Sequence, residues 1–237
     1  MDTFFMQIKA KILLFLRLLT LCLVFLSHKS SALAQCSSSI PDASILIQKV
    51  SQRYSQVSSL KANFEQSSFF LGLGDTVRSS GTLAFKKPGR MDWSYTQPDP
   101  QRFISDGSKV WFYQPDLNQV TVGDFQKAFS SDIPVTFLLG VGELSSSFEL
   151  IKGCQSDKGY EFFLKPKAQD PNLKDFVLYV DTQSLLPKGA KVIDVGGNET
   201  EISLSTIDTS LQLKDSDFVF VIPKGVDVLD QSKVMIK

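Results

Sequence analysis

The chain has 237 residues, and its 25 basic and 25 acidic side chains cancel to a formal net charge of zero. No strongly basic stripe runs through it, which speaks against nucleic acid as a partner. The only histidine, His28, lies in an apolar leader, so the rest of the chain has no imidazole for a Ser-His-Asp or Cys-His pair, a His-ligated zinc or a general base.

At the N-terminus, Lys9 and Lys11 precede an apolar run from Ile12 to Leu26 broken by Arg17 and Thr20. Five polar residues then lead to Ala32-Leu33-Ala34. A basic start, an apolar stretch and a small-x-small site form the pattern of a secretory signal peptide. The run is shorter than the ~20 residues a spanning helix needs. Two cuts are open here. One after Ala34 frees a soluble chain, and one before Cys36 leaves a cysteine to be lipidated. Gln35 is a poor residue before a lipidation site, whereas Ala32 and Ala34 fill both small positions of ordinary cleavage. Residues 1–34 are therefore expected to be a signal peptide and 35–237 a single domain. Removing the leader takes Lys9, Lys11, Arg17 and Lys29 against Asp2, leaving 203 residues with a net charge of −3. That length suits one domain with a substantial core. Cys22 leaves as well, so Cys36 and Cys154 remain, either as a disulfide or as two unpaired thiols.

The first element is an amphipathic helix after Pro41-Asp42, where Asp42 is a capping candidate and Ile45, Leu46, Val50, Tyr54 and Val57 recur at near-helical spacing. From Leu60 the period becomes two. Leu60, Ala62 and Phe64 alternate with polar residues, as do Leu83 and Phe85, Met91, Trp93 and Tyr95, and Val110 and Phe112. Tyr160, Phe162 and Leu164, then Phe176, Leu178 and Val180, then Ile202 and Leu204 repeat the pattern. Turn signals fall at Gly72-Leu73-Gly74, Ser80-Gly81, Lys87-Pro88-Gly89, Gln97-Pro98-Asp99-Pro100, Asp106-Gly107, Lys158-Gly159 and Gly196-Gly197-Asn198. This predicts an antiparallel sheet of roughly nine to eleven strands, long enough to curl. The stretch from Asp132 to Gly142 breaks the rhythm and reads as a short helix or lid beside the sheet, with loop or short helix before it from Asp124. A curled sheet with few helices has an apolar concave face that those helices pack shut or uncover for an apolar ligand. Asp99, Asp106 and Asp116 sit at loop positions and read as turn formers rather than paired carboxylates. No catalytic residue, cofactor or metal is expected.

Several motifs are shared with a known family. Leu83-Ala84-Phe85-Lys86-Lys87-Pro88-Gly89-Arg90-Met91-Asp92-Trp93, then Pro98, then Ser105-Asp106-Gly107 with Val110-Trp111-Phe112-Tyr113-Gln114-Pro115, resemble the periplasmic lipoprotein carriers of the LolA family. Asn172 to Phe176, Phe218-Val219-Phe220 and Pro223 to Val226 fit the same family in the same order. The resemblance implies a mainly β fold, an incomplete half-barrel of curled antiparallel sheet covered by a few lid helices over a hydrophobic cavity. It implies a monomeric chaperone and no enzyme. Its partners would be lipoproteins held by their acyl chains, an inner-membrane ABC-type lipoprotein-releasing complex and an outer-membrane acceptor. Carried over by position, Val50 and Tyr54 on the first helix, Met91, Trp93 and Phe103 on the sheet, and Val135, Phe137 and Leu138 on the lid would contact acyl chains. Members of the family carry arginine immediately before the motif proline, where it latches the lid by bonding backbone carbonyls. Lys87 stands there in this chain, offering three donors on a point charge instead of a planar fork of five. The alternatives are an outer-membrane acceptor of the same shape anchored through Cys36, and a half-barrel that senses lipid or lipoprotein.

Overall fold

The computed structural model describes residues 38–128, 144–168 and 172–231. Among them β1 (Ser38–Ser39) and α1 (Ala43–Ser55) come first. The antiparallel run β2 (Ser59–Phe70), β3 (Asp75–Lys86), β4 (Arg90–Gln97), β5 (Gln101–Asp106), β6 (Lys109–Gln114) and β7 (Gln119–Asp124) follows. After the short helices α2 (Phe125–Ala128) and α3 (Leu144–Ser147) come β8 (Phe148–Ser156), β9 (Gly159–Pro166), β10 (Leu173–Val180), β11 (Pro187–Asp194) and β12 (Glu199–Asp208). The last strand, β13 (Asp227–Asp230), pairs with β7 in parallel. The order is β1-β8-β9-β10-β11-β12-β2-β3-β4-β5-β6-β7-β13, so the two ends of the sheet are different strands and the sheet is an open half-barrel.

Register puts the apolar alternation on one face. Ala62 stands opposite Leu83, Leu83 opposite Trp93, Trp93 opposite Phe103 and Phe103 opposite Phe112, so one row of same-face side chains crosses five strands. That concave face holds the main core, in which Phe64, Phe85, Phe162, Phe176 and Leu178 are fully buried. The convex face of β4–β7 carries a second apolar layer. Ile104, Val120 and Val122 are buried there, and Phe218, from the single 3₁₀ turn Asp215–Phe218 of the C-terminal segment, is buried as well. Phe220 lies 6.3 Å from Trp111 and 5.5 Å from Tyr113, ring centre to ring centre. The C-terminal segment thus covers the convex face before adding β13 to the edge.

Three expectations are corrected. The thirteen strands exceed the nine to eleven expected, because β1 and β13 are too short and too exposed to show an alternation. Ser80-Gly81 is no turn but lies inside β3, at a bulge against β4. A Cβ on Gly81 would stand 1.9 Å from the Ser94 carbonyl oxygen, so glycine is required there by close backbone approach. Asp42 occupies the N-cap of α1 without a side-chain cap; its backbone carbonyl accepts from the Ile45 and Leu46 N–H groups instead, at 3.0 Å each.

Candidate functional site beneath the first helix

α1 lies on the concave face because its stripe matches the apolar rows below. Ala43, Val50 and Tyr54 are buried, and Leu46 and Ile47 pack at the margin. The Tyr54 ring meets Phe85 edge-on at 6.1 Å. At the start of the helix the Ala43 methyl rests on Gly153 of β8, where a Cβ would come within 2.5 Å of it.

The other end of α1 is tied by Lys87. Its backbone N–H donates to the Ser58 carbonyl (2.8 Å), which fixes the residue beside the α1–β2 connection. Its Nζ then donates to the Tyr54 carbonyl at 2.6 Å and stands 3.9 Å from the Tyr54 ring centre. Last-turn carbonyls of a helix lack intrahelical partners and carry the negative end of its dipole, so a cation suits the place. Burial pushes the Lys87 pKa down from 10.5 to about 8. A lysine whose folded-state pKa lies below its unfolded value binds fewer protons when folded. Its cost is therefore fully present below about pH 8 and is relieved as pH rises toward 10.5. The Tyr54 hydroxyl, pushed far above the phenol range by burial, stays neutral throughout this window. Between pH 7.5 and 9.5 the urea midpoint of the wild type should therefore gain on that of Lys87→Leu; parallel curves would mean that α1 does not desolvate the lysine.

Four of the residues expected to contact acyl chains are packed together under α1. Val50, Tyr54, Met91 and Trp93 are only 0, 2, 2 and 8% exposed and belong to one cluster. In this closed arrangement α1 side chains occupy the concave face, since an empty apolar hollow in a close-packed core is costly. Phe103 is half-buried at the cluster's edge, stacked on Phe112 at 4.2 Å and 6.2 Å from Tyr95. Val135, Phe137, Leu138 and Cys36 lie outside the described residues. Cys154 is buried and disulfide-bonded. The three loop aspartates do not converge on a site. Asp99 and Asp116 are exposed, and Asp106 accepts from Ser108 N and Lys109 N at 2.8 Å each. Burial works against its ionisation, yet hydrogen bonds from Lys109 and Ser108 hold its carboxyl below the usual range, as suits a turn former. Among the described residues no group of three or more His, Cys, Asp or Glu is placed to hold a metal.

Sequence reasoning missed a cavity of about 390 Å³ along the flank of α1. Ile47, Ser44 and Ser51 of the helix face Leu144, Phe148, Leu150 and Leu164 across it. Its signals in the sequence were the alternations of Phe148 and Leu150 and of Phe162 and Leu164. A larger hollow of about 600 Å³ lies elsewhere, lined by Glu65, Ser67, Arg78, Ser80, Gln97 and Glu201. Its polar lining makes it unsuited to a hydrocarbon chain.

Both the sequence and the fold have relatives among known proteins. The family model described as outer membrane lipoprotein carrier protein LolA matches residues 55–221. The chain belongs to the LolA family. An outer-membrane lipoprotein carrier protein of Legionella pneumophila is 32% identical over 217 residues, covering 91% of this chain and 99% of its own. One from Cupriavidus pinatubonensis is 30% identical over 213 residues, covering 88% and 93%. A crystal structure of an uncharacterised conserved protein from Thermus thermophilus shares the fold, with a TM-score of 0.52 at 12% identity over 80% of this chain and 99% of that one. These LolA-family relatives are named as carriers, and the family is not one of enzymes.

Proposed function

We propose that this chain is exported, cut after Ala34 and carries lipoproteins through the periplasm. It would take up acyl chains released by an inner-membrane ABC-type complex and pass them to an outer-membrane acceptor. Besides family membership, one observation carries the reading: the apolar stripe of α1 shuts the concave face and is tied at its last turn by Lys87.

Burying an acyl chain yields about 0.8 kcal/mol per methylene, on the order of 10 kcal/mol for one long chain. Several chains held at full strength would never be handed over. Displacing Val50 and Tyr54 sets about 3–5 kcal/mol against that gain. An empty open face would self-associate, whereas a helix that closes it keeps the unloaded carrier monomeric. Acyl chains binding only the open form then shift the population toward it. Lys87→Leu removes the hydrogen bond to the Tyr54 carbonyl from the closed form alone, a loss offset in part by the burial cost that the charge carries there. It should hold lipoprotein about fivefold to tenfold more tightly and slow transfer to the acceptor in proportion, measured as hand-over between purified components. Transfer at the wild-type rate would make Lys87 a solvated turn residue.

Cys154 is disulfide-bonded, and cleavage removes Cys22, so we assign Cys36 as its partner. Ser39, three residues after Cys36, pairs with Cys154 in the β1–β8 ladder. A cysteine in a disulfide has no thiol left for lipid, which favours the free carrier over the anchored acceptor.

Native mass spectrometry of the protein purified from periplasm tests the reading. An acylated polypeptide bound to a chain beginning at Gln35 supports it. A chain bearing its own lipid on Cys36 would overturn it in favour of the acceptor.

A further inference from the structure

Trp93 Nε1 is the one buried side-chain nitrogen or oxygen among the described residues with no hydrogen-bond partner. An indole N–H can only donate, and native cores leave few such donors unpaired. The ring is held firmly, 5.3 Å from Phe64 edge-on and 6.4 Å from Tyr95 in parallel, so the donor cannot swing away to water. Its polar neighbours on this face are already satisfied. Tyr95 Oη donates to Gln66 Oε1 at 2.8 Å, and Gln66 Nε2 donates to Ser68 Oγ at 3.1 Å. Ser68 Oγ lies 3.3 Å from Thr200 Oγ1.

These groups divide the β2–β4 part of the concave face along its strands. On β2–β4 the rows through Leu60, Phe85 and Met91 and through Ala62, Leu83 and Trp93 are apolar; the next row, through Phe64, Gly81 and Tyr95, brings in the Tyr95 hydroxyl, and the one after it brings Gln66 opposite Ser79. Trp93 stands one row from Tyr95, whose hydroxyl donates to Gln66. An acyl group has the same division: a hydrocarbon tail, then a carbonyl oxygen that accepts and cannot donate. Tails laid on the apolar rows bring that carbonyl to the border.

We infer that Trp93 Nε1–H is the hydrogen-bond donor for the carbonyl oxygen of a bound acyl ester or amide, fixing how deep the chain enters. This rests on the carrier reading, since it needs α1 displaced and a chain in its place. Trp93 then makes the site selective for acyl over alkyl chains, which packing alone cannot do.

The test uses the full mature chain and two probes of equal tail length: a short peptide with a diester-linked dipalmitoylglyceryl group on its N-terminal cysteine, and its dialkyl ether counterpart. The wild type should bind the ester about tenfold more tightly, and Trp93→Phe should bind both at the level of the ether. Should Trp93→Phe misfold, the wild type labelled with ¹⁵N at its two tryptophans supplies a second readout. The Trp93 indole resonance should move downfield with the ester and much less with the ether, Trp111 serving as reference. Equal affinity of the wild type for both probes, or an indole resonance indifferent to the ester, overturns the inference. Binding of neither probe overturns the carrier reading and this inference with it.

Discussion

Gly153→Leu should lift the start of α1 off the sheet and expose the concave face in the absence of any ligand. A Cβ at this position would lie 2.5 Å from the Ala43 methyl and 3.5 Å from the Phe162 ring. Neither neighbour is a flexible chain end that can swing aside, so the helix must give way. The loss reaches Val50 and Tyr54, whose burial is worth about 1.5–3 kcal/mol each. A destabilisation of about 3–5 kcal/mol, strong binding of an anilinonaphthalene dye and concentration-dependent self-association are expected. Gly72→Leu is the control, because nothing lies within 4 Å of a side chain added there. If Gly153→Leu matched that control in urea midpoint and dye binding, α1 would not be seated as described.

Phe103→Glu should abolish lipoprotein uptake while leaving the fold intact. Phe103 is half-buried at the rim of the core, so a carboxylate can reach water while the face is closed. With acyl chains packed around it the same carboxylate would be unpaired and desolvated, a cost of several kcal/mol. Release of lipoprotein from inner-membrane vesicles should fall at least about a hundredfold, with a change in folding stability of about 2 kcal/mol or less. Release within twofold of the wild type, by a variant of normal urea midpoint, would remove Phe103 from the site.

Much of the fold was legible because a half-buried antiparallel sheet writes itself as alternation. Met91, Trp93 and Tyr95 lie on one face because successive side chains of a strand point to opposite faces. Other features left no distinct trace. A glycine reads alike whether it makes a turn or admits a carbonyl, so Gly81 was indistinguishable from Gly107. The stripe of α1 identified the buried side of the helix but not whether Val50 and Tyr54 line a space or fill it, since both uses require the same apolar groups. The exchange of arginine for lysine before Pro88 was visible, whereas the bond from Lys87 to the Tyr54 carbonyl depends on pairing remote in sequence. Phe218 and Phe220 stood out as family residues, yet their packing on the convex face, opposite to α1, follows from a chain crossing that no local pattern encodes.

The central claim is that acyl chains lie on the concave face, where α1 rests in the unloaded protein. A photo-cross-linking side chain placed in turn at Phe103, on that face, and at Asn63, exposed on the opposite side of β2, tests it most directly. Mixed with inner-membrane vesicles carrying labelled lipoprotein, the chain should cross-link through position 103 and not through position 63. Equal capture at both positions, or capture only at 63, would contradict the account.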